Sequence, residues 1–136
     1  LKKASSRVDQ PVIGTDIHYT ILDMLEIEAN KVEGVSLIQA LNDNQGEERS
    51  LHWHVPHYSP QRGMPASAIR KGDFKLIYFY EDQKAELYNL TDDPEEKSDL
   101  SKLEKELTEK LLSELDSWKQ KMKANDPERN PIYEPK

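Results

Sequence analysis

The chain has 136 residues, which fits a single domain, and it is polar for its length, with 35% hydrophobic and 33% charged residues. Its formal net charge of −7 argues against nucleic-acid binding, which needs a basic surface, and against attraction of anionic substrates by this domain itself. The lack of cysteine excludes disulfides, thiolate metal sites and a cysteine nucleophile, and no stretch approaches the length of a membrane span. The chain starts at Leu1 with neither an initiator methionine nor a signal peptide, so we expect a fragment or a processed product.

The first third of the chain is predicted to contain one short helix after a polar stretch. Residues 1–11 end in a proline and are predicted to be a linker or a cut end. A helix is expected from Thr15, because Thr15 or Asp16 can accept hydrogen bonds from the first free backbone N–H groups. The apolar residues on one broad face of this helix are Ile17, Ile21, Leu22, Met24 and Leu25. Residues 35–41 are expected to form a turn or short helix, followed by a polar loop over residues 42–48.

The middle third shows the alternation of apolar and polar residues that is typical of β-strands. Within residues 50–55 the alternating residues are Leu51, His52, Trp53, His54 and Val55. We expect Trp53 to face the core and His54 to point the other way. Further strands are predicted at residues 67–70, 74–80 and 86–90. Because short turns connect antiparallel neighbours, these segments predict a four-stranded antiparallel sheet.

The last third is predicted to be one long amphipathic helix. Ser101 and Glu104 fit a capping box at its start. Its apolar stripe consists of Leu103, Leu107, Leu111, Leu115, Trp118 and Met122. We expect this stripe to cover the open face of the sheet, with a coiled coil as the alternative, and residues 125–136, which hold three prolines, to form an extended tail. The predicted fold is a single α+β domain over residues 1–136, with a short N-terminal helix and a four-stranded antiparallel sheet covered by the long C-terminal helix.

Four short segments occur in a characteristic order along the chain. They are VIGTDIHYTILD at residues 12–23 with EGVSL at 33–37, WHVPHY at 53–58, AIRKGDFKLI at 68–77, and ELYNL at 86–90 followed by DPEE at 93–96 and Leu100. In this order and spacing they resemble the C-terminal part of bacterial type I (formylglycine-dependent) sulfatases, of the N-sulfoglucosamine and iduronate sulfatase kind. Tyr19 and Glu33 stand where that family usually has a proline and an aspartate, and both departures concern turn geometry rather than chemistry.

The resemblance implies that the catalytic domain of the parent sulfatase is missing from this chain. The family's nucleophile is a formylglycine made within a C/S-x-P-x-R motif, and residues 59–62, which read SPQR, have the wrong spacing for it. Asp43 and Asn44 have the residue types of a calcium-binding pair in that family, but calcium needs several further oxygen ligands. We therefore predict neither catalytic residues nor a metal site here. The resemblance implies calcium and formylglycine in the missing domain, and a periplasmic or extracellular location for the parent.

Three histidines follow the pattern H-x-H-x-x-H at His52, His54 and His57. His52 and His54 share one face of the predicted strand, a geometry that can bind zinc. The resemblance implies a different use, in which His54 and His57 reach the rim of the substrate pocket and hydrogen-bond a sugar or sulfate oxygen. The third alternative is structural, with the rings packed beside Trp53 and Tyr58.

Arg70 completes the predicted substrate-binding set of His54, His57 and Arg70. It flanks the turn at Gly72, where it can contact an anionic glycan or pair with a nearby acid such as Asp73.

Two functions follow from these patterns. The first is an accessory subdomain that packs on the catalytic domain of a sulfatase, lines its pocket for sulfated carbohydrate, and is inactive alone. The parent would hydrolyse a sulfuric ester or a sulfamate. The alternative is a non-catalytic carbohydrate-binding or scaffolding module, for which Tyr78, Tyr80 and Trp53 would form an aromatic platform.

Overall fold

The computed structural model describes residues 8–28, 34–38, 40, 49–60, 63–128 and 132. The chain divides into two compact units, residues 1–51 and residues 52–136. Residues 8–13 carry neither helix nor strand. The polar loop predicted at residues 42–48, which includes Asp43 and Asn44, lies outside the described residues. So do most of the predicted linker at 1–11 and much of the predicted tail at 125–136, and the domain bounds therefore stay predictions.

The first unit contains the predicted N-terminal helix, α1, which spans Gly14–Met24. Its N-cap residue is Ile13, and Asp16 is the residue that accepts a hydrogen bond from a free backbone N–H group at the helix start, one of the two predicted acceptors. Asp16 lies in the third helical position, and its carboxylate accepts a hydrogen bond from the backbone N–H of Ile13 at 2.9 Å. Asp16 therefore supports the helix start from inside the first turn, as the acidic member of a capping box does.

The side of α1 that faces the rest of the first unit is polar. Asp16 is fully buried, and its carboxylate binds the guanidinium of Arg49 and the backbone N–H of Val35, the latter at 3.1 Å. One turn further along, the hydroxyl of Thr20 accepts a hydrogen bond from the backbone N–H of Leu37 at 3.0 Å. These bonds attach the segment after α1, and Arg49, to the helix.

The opposite side of α1 is apolar and exposed. The exposed fractions are 59% for Ile17, 51% for Ile21, 61% for Met24 and 62% for Leu25. A surface helix normally turns its apolar side inward. Leu22, from the same predicted face, is half-buried. The amphipathicity of α1 is therefore largely reversed within the first unit, with Asp16 buried and four of the five apolar side chains exposed.

The predicted four-stranded antiparallel sheet is confirmed, with the strand order β1-β2-β3-β4. The strands are β1 at Ser50–Val55, β2 at Ala66–Lys71, β3 at Phe74–Phe79 and β4 at Lys84–Asn89. The bounds of β1 are those predicted, and the others differ by one or two residues at an end. Gly72 in the turn between β2 and β3 has φ of +57°, a conformation that glycine adopts without steric cost.

The core of the second unit lies between the sheet and the long helix α2, which spans Lys105–Met122. Ile69, Leu76 and Leu87 stand side by side in register on neighbouring strands. They pack with Leu111 and Leu115 of α2, and all five side chains are at most 1% exposed. Burying such a side chain contributes roughly 1.5–3 kcal/mol, so this cluster is the main apolar stabilisation of the second unit. Among the described residues, no helix is both long and apolar enough to cross a membrane.

Helix α2 begins later than predicted. Its N-cap residue is Glu104, which makes no side-chain capping bond, and the capping box predicted between Ser101 and Glu104 is not formed. The residues before Lys105 form a turn instead. Leu103 is 79% exposed and Met122 is 41% exposed, so the two ends of the predicted stripe lie outside the core.

Strand β1 presents histidines, not tryptophan, to the face that α2 covers. The ring of His52 stacks on Trp118 of α2, with ring centroids 4.8 Å apart and planes inclined by 8°. Strand alternation then places Trp53 and Val55 on the opposite face, where they are 37% and 42% exposed. The expectation that Trp53 faces the core was wrong, because alternation fixes the period of a strand but not which of its faces is covered.

Candidate functional site

The loop after β1 carries His57, which is exposed. Pro56 lacks a backbone N–H group, so it ends strand pairing and turns the chain. His57 and Tyr58 follow, and Tyr58 is 63% exposed. The loop is closed by two bonds: the Ser59 N–H donates to the Gly63 carbonyl at 3.0 Å, and the Ser59 hydroxyl accepts from the Gly63 N–H at 3.0 Å. His57 therefore lies exposed just before this closed turn, in the connection between β1 and β2.

His54, near the end of β1, has both ring nitrogens engaged within the second unit. Its Nδ1 lies 2.7 Å from Ser67 Oγ, and its Nε2 lies 3.0 Å from the backbone carbonyl oxygen of Asn125. The ring of Tyr80 stands edge-on to it, with centroids 6.0 Å apart. Ser67 is only 1% exposed, so its hydroxyl cannot meet a substrate, and the Ser67–His54 contact is not a nucleophile and its base.

Tyr80, Lys119 and Asp126 extend this contact into a polar cluster. The Tyr80 hydroxyl lies 2.7 Å from Ser67 Oγ and donates to Asp126 Oδ1 at 2.8 Å. Lys119 Nζ donates to the two carboxylate oxygens of Asp126 at 3.1 and 3.2 Å. It also pairs with Asp116 at 3.1 Å. The cluster thereby ties the segment that follows α2 to the sheet.

The pKa shifts in this cluster fix its charges at neutral pH. Burial by itself would lower the pKa of Lys119, but the bonds to Asp116, Asp126 and Tyr80 outweigh it and raise that pKa above its ordinary value. Burial would raise the pKa of Asp126, but the bonds from Tyr80 and Lys119 hold it below its ordinary value. Burial raises the pKa of Tyr80. The lysine and the carboxylate are therefore charged, and the phenol keeps its proton.

His52 and His54 point to one face of β1, as predicted, but His52 packs against Trp118. Burial lowers the pKa of His52, nearby Lys71 lowers it further, and Glu114 opposes the change. His52 is thus neutral at neutral pH and stacked on Trp118. Across the described ranges, no three histidine, aspartate or glutamate side chains are grouped to hold a metal ion.

Arg70 lies apart from both candidate histidines. It alternates with Ser67 along β2, so it occupies the sheet face opposite to the one that Ser67 shares with His54. Its Nε donates to the backbone oxygen of Gly72 at 3.3 Å, in the turn between β2 and β3. That turn is at the other end of the strands from the loop that carries His57. The three candidate residues therefore do not converge on one pocket within this chain, and their substrate contacts stay predictions.

The three aromatic residues considered for a sugar platform do not share a face. Tyr78 and Tyr80 lie on the covered face, with ring centroids 5.4 Å apart, and Lys119 Nζ sits 5.2 Å from the centroid of Tyr80. Trp53 lies on the opposite face. A flat aromatic surface of these three residues is therefore absent.

Sequence reasoning did not find the polar cluster, whose unpredicted members are Ser67, Tyr80, Lys119 and Asp126. One signal was present: Lys119 follows Leu111 and Leu115 at the spacing of four, which puts a lysine in line with the apolar stripe. A buried lysine in such a stripe needs a carboxylate partner. The partner itself lies in the tail, where no spacing identifies it.

The chain matches sulfatases along most of its length. Residues 2–124 match the family described as N-sulphoglucosamine sulphohydrolase, C-terminal. A sulfatase of Formosa agariphila is 33% identical over 104 residues, which cover 67% of this chain and 19% of that protein. An N-acetylglucosamine-6-O-sulfatase of Bacteroides thetaiotaomicron is 29% identical over 140 aligned residues, covering 93% of this chain and 24% of that protein. The chain thus spans only about a fifth to a quarter of the length of these relatives.

Solved structures share the fold. One protein, solved in complex with its substrate D-glucosamine-2-N,6-O-disulfate, has a TM-score of 0.66 and 27% identity over 82% of this chain and 24% of that one. A 2-O GAG sulfatase has a TM-score of 0.68 over 85% of this chain and 27% of that one, and its 21% identity shows the fold alone. The family match, the curated relatives and the common fold agree: this chain belongs to the N-sulphoglucosamine sulphohydrolase C-terminal family.

Proposed function

We propose that this domain is an accessory part of a sulfatase that hydrolyses a sulfuric ester or a sulfamate on sulfated carbohydrate. In this proposal it packs against the catalytic domain, lends loop residues to the wall of the substrate pocket, and turns over no substrate alone. The relatives named as sulfatases are four to five times longer than the aligned region, which leaves room for a separate catalytic domain. We place formylglycine and calcium in that domain, and the parent in the periplasm or outside the cell.

The observation that carries this proposal is the reversed amphipathicity of α1. Ile17, Ile21, Met24 and Leu25 form an exposed apolar stripe, while Asp16 is buried on the inward side. Contiguous apolar surface on a soluble domain marks a contact with another protein surface. The matched relatives are four to five times longer than the aligned region, and we propose that a corresponding part of the parent chain covers the stripe.

His57 is the candidate that we propose to contact the substrate directly. It is exposed in the connection between β1 and β2, and loops held by a rigid sheet are where binding residues concentrate. A histidine suits a sulfated sugar because it donates a hydrogen bond when neutral and adds positive charge when protonated. His54 is held inside the second unit, and we propose that it acts on the loop rather than on the sugar. Arg70 remains a separate candidate on the opposite face of the sheet.

Kinetics on the intact sulfatase test the role of His57. Losing one charge-assisted hydrogen bond costs roughly 1.5–3 kcal/mol, so His57→Ala should lower kcat/KM about ten- to a hundredfold with the thermal unfolding temperature unchanged. The 136-residue chain, incubated with a chromogenic aryl sulfate and calcium, should show no turnover above a heat-killed control. Unchanged kinetics for His57→Ala would reduce the loop to a structural role, and turnover by the isolated chain would refute the accessory role.

The docking of α1 is tested by Ile21→Asp, with Leu103→Asp as the matched control. Both side chains are exposed in this structure, by 51% and 79%, so neither substitution should change the stability of the isolated chain by more than about 0.5 kcal/mol. In the intact sulfatase, Ile21→Asp should place a charge in a closed interface and lower both the unfolding temperature and the yield of active enzyme. Equal unfolding temperatures and equal yields of active enzyme for the two variants of the intact sulfatase would contradict docking through α1.

The alternative of an independent carbohydrate-binding module is not favoured by the geometry, because Trp53 lies on the face opposite to Tyr78 and Tyr80. Calorimetry of the isolated chain with a sulfated glycosaminoglycan oligosaccharide separates the two functions. The accessory role predicts no binding by the isolated chain, whereas a binding module would show it.

A further inference from the structure

Helices α1 and α2 end in the same backbone conformation. Just after each helix lies a residue with left-handed geometry, Glu26 with φ of +55° and Lys123 with φ of +53°. The N–H group of Glu26 donates to the Asp23 carbonyl at 3.1 Å, and the N–H group of the next residue, Ile27, donates to the Leu22 carbonyl at 2.9 Å. The two corresponding bonds after α2 measure 3.1 and 3.0 Å. The two helix ends therefore differ in their side chains and not in their backbone.

The charges at these two helix ends are opposite. The last turn of α2 carries Lys119 and Lys121, which stabilise it because the C-terminal end of a helix is the negative pole of the helix dipole. The last turn of α1 has no basic residue. Its end carries the exposed acidic residues Asp23, Glu26 and Glu28, and the sequence has no lysine or arginine from residue 8 to residue 30. The end of α1 thus has the unfavourable electrostatics that α2 avoids.

The part of the first unit that the structure describes does not neutralise these three acidic residues. Arg49 is its only described lysine or arginine, and the guanidinium of Arg49 binds the buried carboxylate of Asp16. The acidic residues alternate along the chain with exposed apolar ones: Met24 is 61% exposed, Leu25 62% and Ile27 51%. The exposed end of α1 is therefore apolar and acidic at once, and the apolar part continues the stripe that we propose to be covered.

We propose that the end of α1 docks on an apolar surface of the parent's catalytic domain that carries lysine or arginine, with these cations facing Asp23, Glu26 and Glu28. This inference rests on the proposed function, in which the catalytic domain covers α1, and it adds the charge of the covering surface. Complementary charges select and orient a partner more than they add to affinity. The acidic residues thus set the direction in which α1 lies on the catalytic domain, while burial of the apolar stripe holds it there.

Glu26→Lys tests the charge of the partner, because it gives α1 the kind of end that α2 has. In the isolated 136-residue chain, a cation at this position interacts favourably with the helix dipole. Hydrogen exchange of residues 21–27, measured by mass spectrometry, should therefore slow about two- to fivefold. In the intact sulfatase the same lysine faces cations of the catalytic domain, so exchange of this segment should instead quicken about fivefold or more. A cationic partner predicts this reversal of sign.

Lys123→Glu is the matched control, with the same backbone conformation at the end of α2 and the opposite change of charge. It should quicken exchange at that helix end about two- to fivefold in both the isolated chain and the intact sulfatase. The effect of Glu26→Lys in the intact sulfatase should shrink at about 1 M salt, where the screening length is only about 3 Å. Glu26→Gln removes the charge with little change of shape. It should show the same reversal of sign with a smaller size, and it serves if Glu26→Lys prevents folding of the intact protein.

Slower or unchanged exchange of α1 for Glu26→Lys in the intact sulfatase would overturn the proposal, and so would a quickening that salt does not reduce. Exchange of α1 that slows as the concentration of the isolated chain rises would also overturn it, because a second copy would then cover the stripe. Failure of the proposed function looks different. In that case α1 exchanges as fast in the intact sulfatase as in the isolated chain, and Ile21→Asp is as harmless there as Leu103→Asp.

Discussion

The buried carboxylate of Asp16 should be the strongest polar determinant of the first unit. Its side chain is fully buried, and the Arg49 side chain that it binds is only 17% exposed. Asp16→Asn leaves this arginine without its counter-charge, and the single remaining amide oxygen cannot serve both Ile13 and Val35. Removing one partner of a buried pair costs about 3–5 kcal/mol, and the retained oxygen puts the expected loss at the lower end of that range.

Amide hydrogen exchange at Leu37 measures this loss within the first unit. The Leu37 N–H is bonded to the Thr20 hydroxyl rather than to Asp16, so it reports the attachment of the whole segment to α1. Asp16→Asn should raise its exchange rate a hundredfold or more, in line with about 3 kcal/mol. Asp23→Asn, on an exposed position of the same helix, is the control and should change little.

The pH dependence gives an independent check on Asp16. Burial alone would raise its pKa, but the hydrogen bond from Arg49 and those from the N–H groups of Ile13 and Val35 outweigh burial and lower the pKa below its ordinary value. A carboxyl with a lowered folded-state pKa contributes stability above its unfolded pKa and loses that contribution as the pH falls through the folded-state pKa. The difference in stability between the unaltered chain and Asp16→Asn should thus be at its full value above about pH 5 and should shrink below about pH 4. A difference that is constant from pH 3 to 7 would refute the reasoning.

Three further predictions concern the packing. Leu115→Ala should cost the second unit about 2–5 kcal/mol in urea unfolding, because Leu115 is fully buried between α2 and the sheet, and a loss under 1 kcal/mol would contradict that core. Trp118→Ala should destabilise the second unit more than Trp53→Ala does, since Trp118 stacks on His52 while Trp53 is 37% exposed. The reverse order in the same assay would indicate that Trp53, as first predicted, lies in the core. Gly34→Ala should cost at least about 1–2 kcal/mol, measured by amide exchange in the first unit, because Gly34 has φ of +115° and an added Cβ would lie 2.7 Å from a carbonyl oxygen of α1; unchanged exchange would argue against this approach.

The sheet could be predicted because its signals are local. Alternation over residues 50–55 gave the bounds of β1, and Gly72 marked the turn that joins β2 to β3. Both signals depend only on neighbours in the chain. The start of α2 could not be placed in this way, because Ser101 and Glu104 have the right spacing for a capping box while the backbone around Leu100 forms a separate turn. A cap requires a backbone conformation that the two residue types alone do not impose.

The polar cluster around His54 is the part of the site that the sequence did not predict. Ser67 and Tyr80 are 13 residues apart, and both are distant in sequence from Lys119 and Asp126. They meet because β2 and β3 pair in register and α2 crosses the same face of the sheet. The predicted substrate role of His54 came from a motif, and a motif does not reveal that both nitrogens of a ring are bonded elsewhere. His57 has no such bond among the described contacts, and the substrate role that the resemblance implied for it stays a prediction.

The two places where side chains point the opposite way from the usual rule carry the strongest argument about function. In the first unit, α1 turns Asp16 inward and Ile17 and Ile21 outward; in the second, β1 turns His54 inward and Trp53 outward. An isolated domain gains nothing from this, because each half-exposed aliphatic side chain forgoes about 1 kcal/mol that covering it would contribute. The free energy lost by exposing these apolar residues is recovered only if another surface covers them in the working protein. The inward polar residues, by contrast, are fully bonded within their own units, so they hold α1 and β1 in these orientations before any partner arrives. The reversal is thus built into the isolated fold, and it supports our proposal that a catalytic partner covers these outward apolar surfaces.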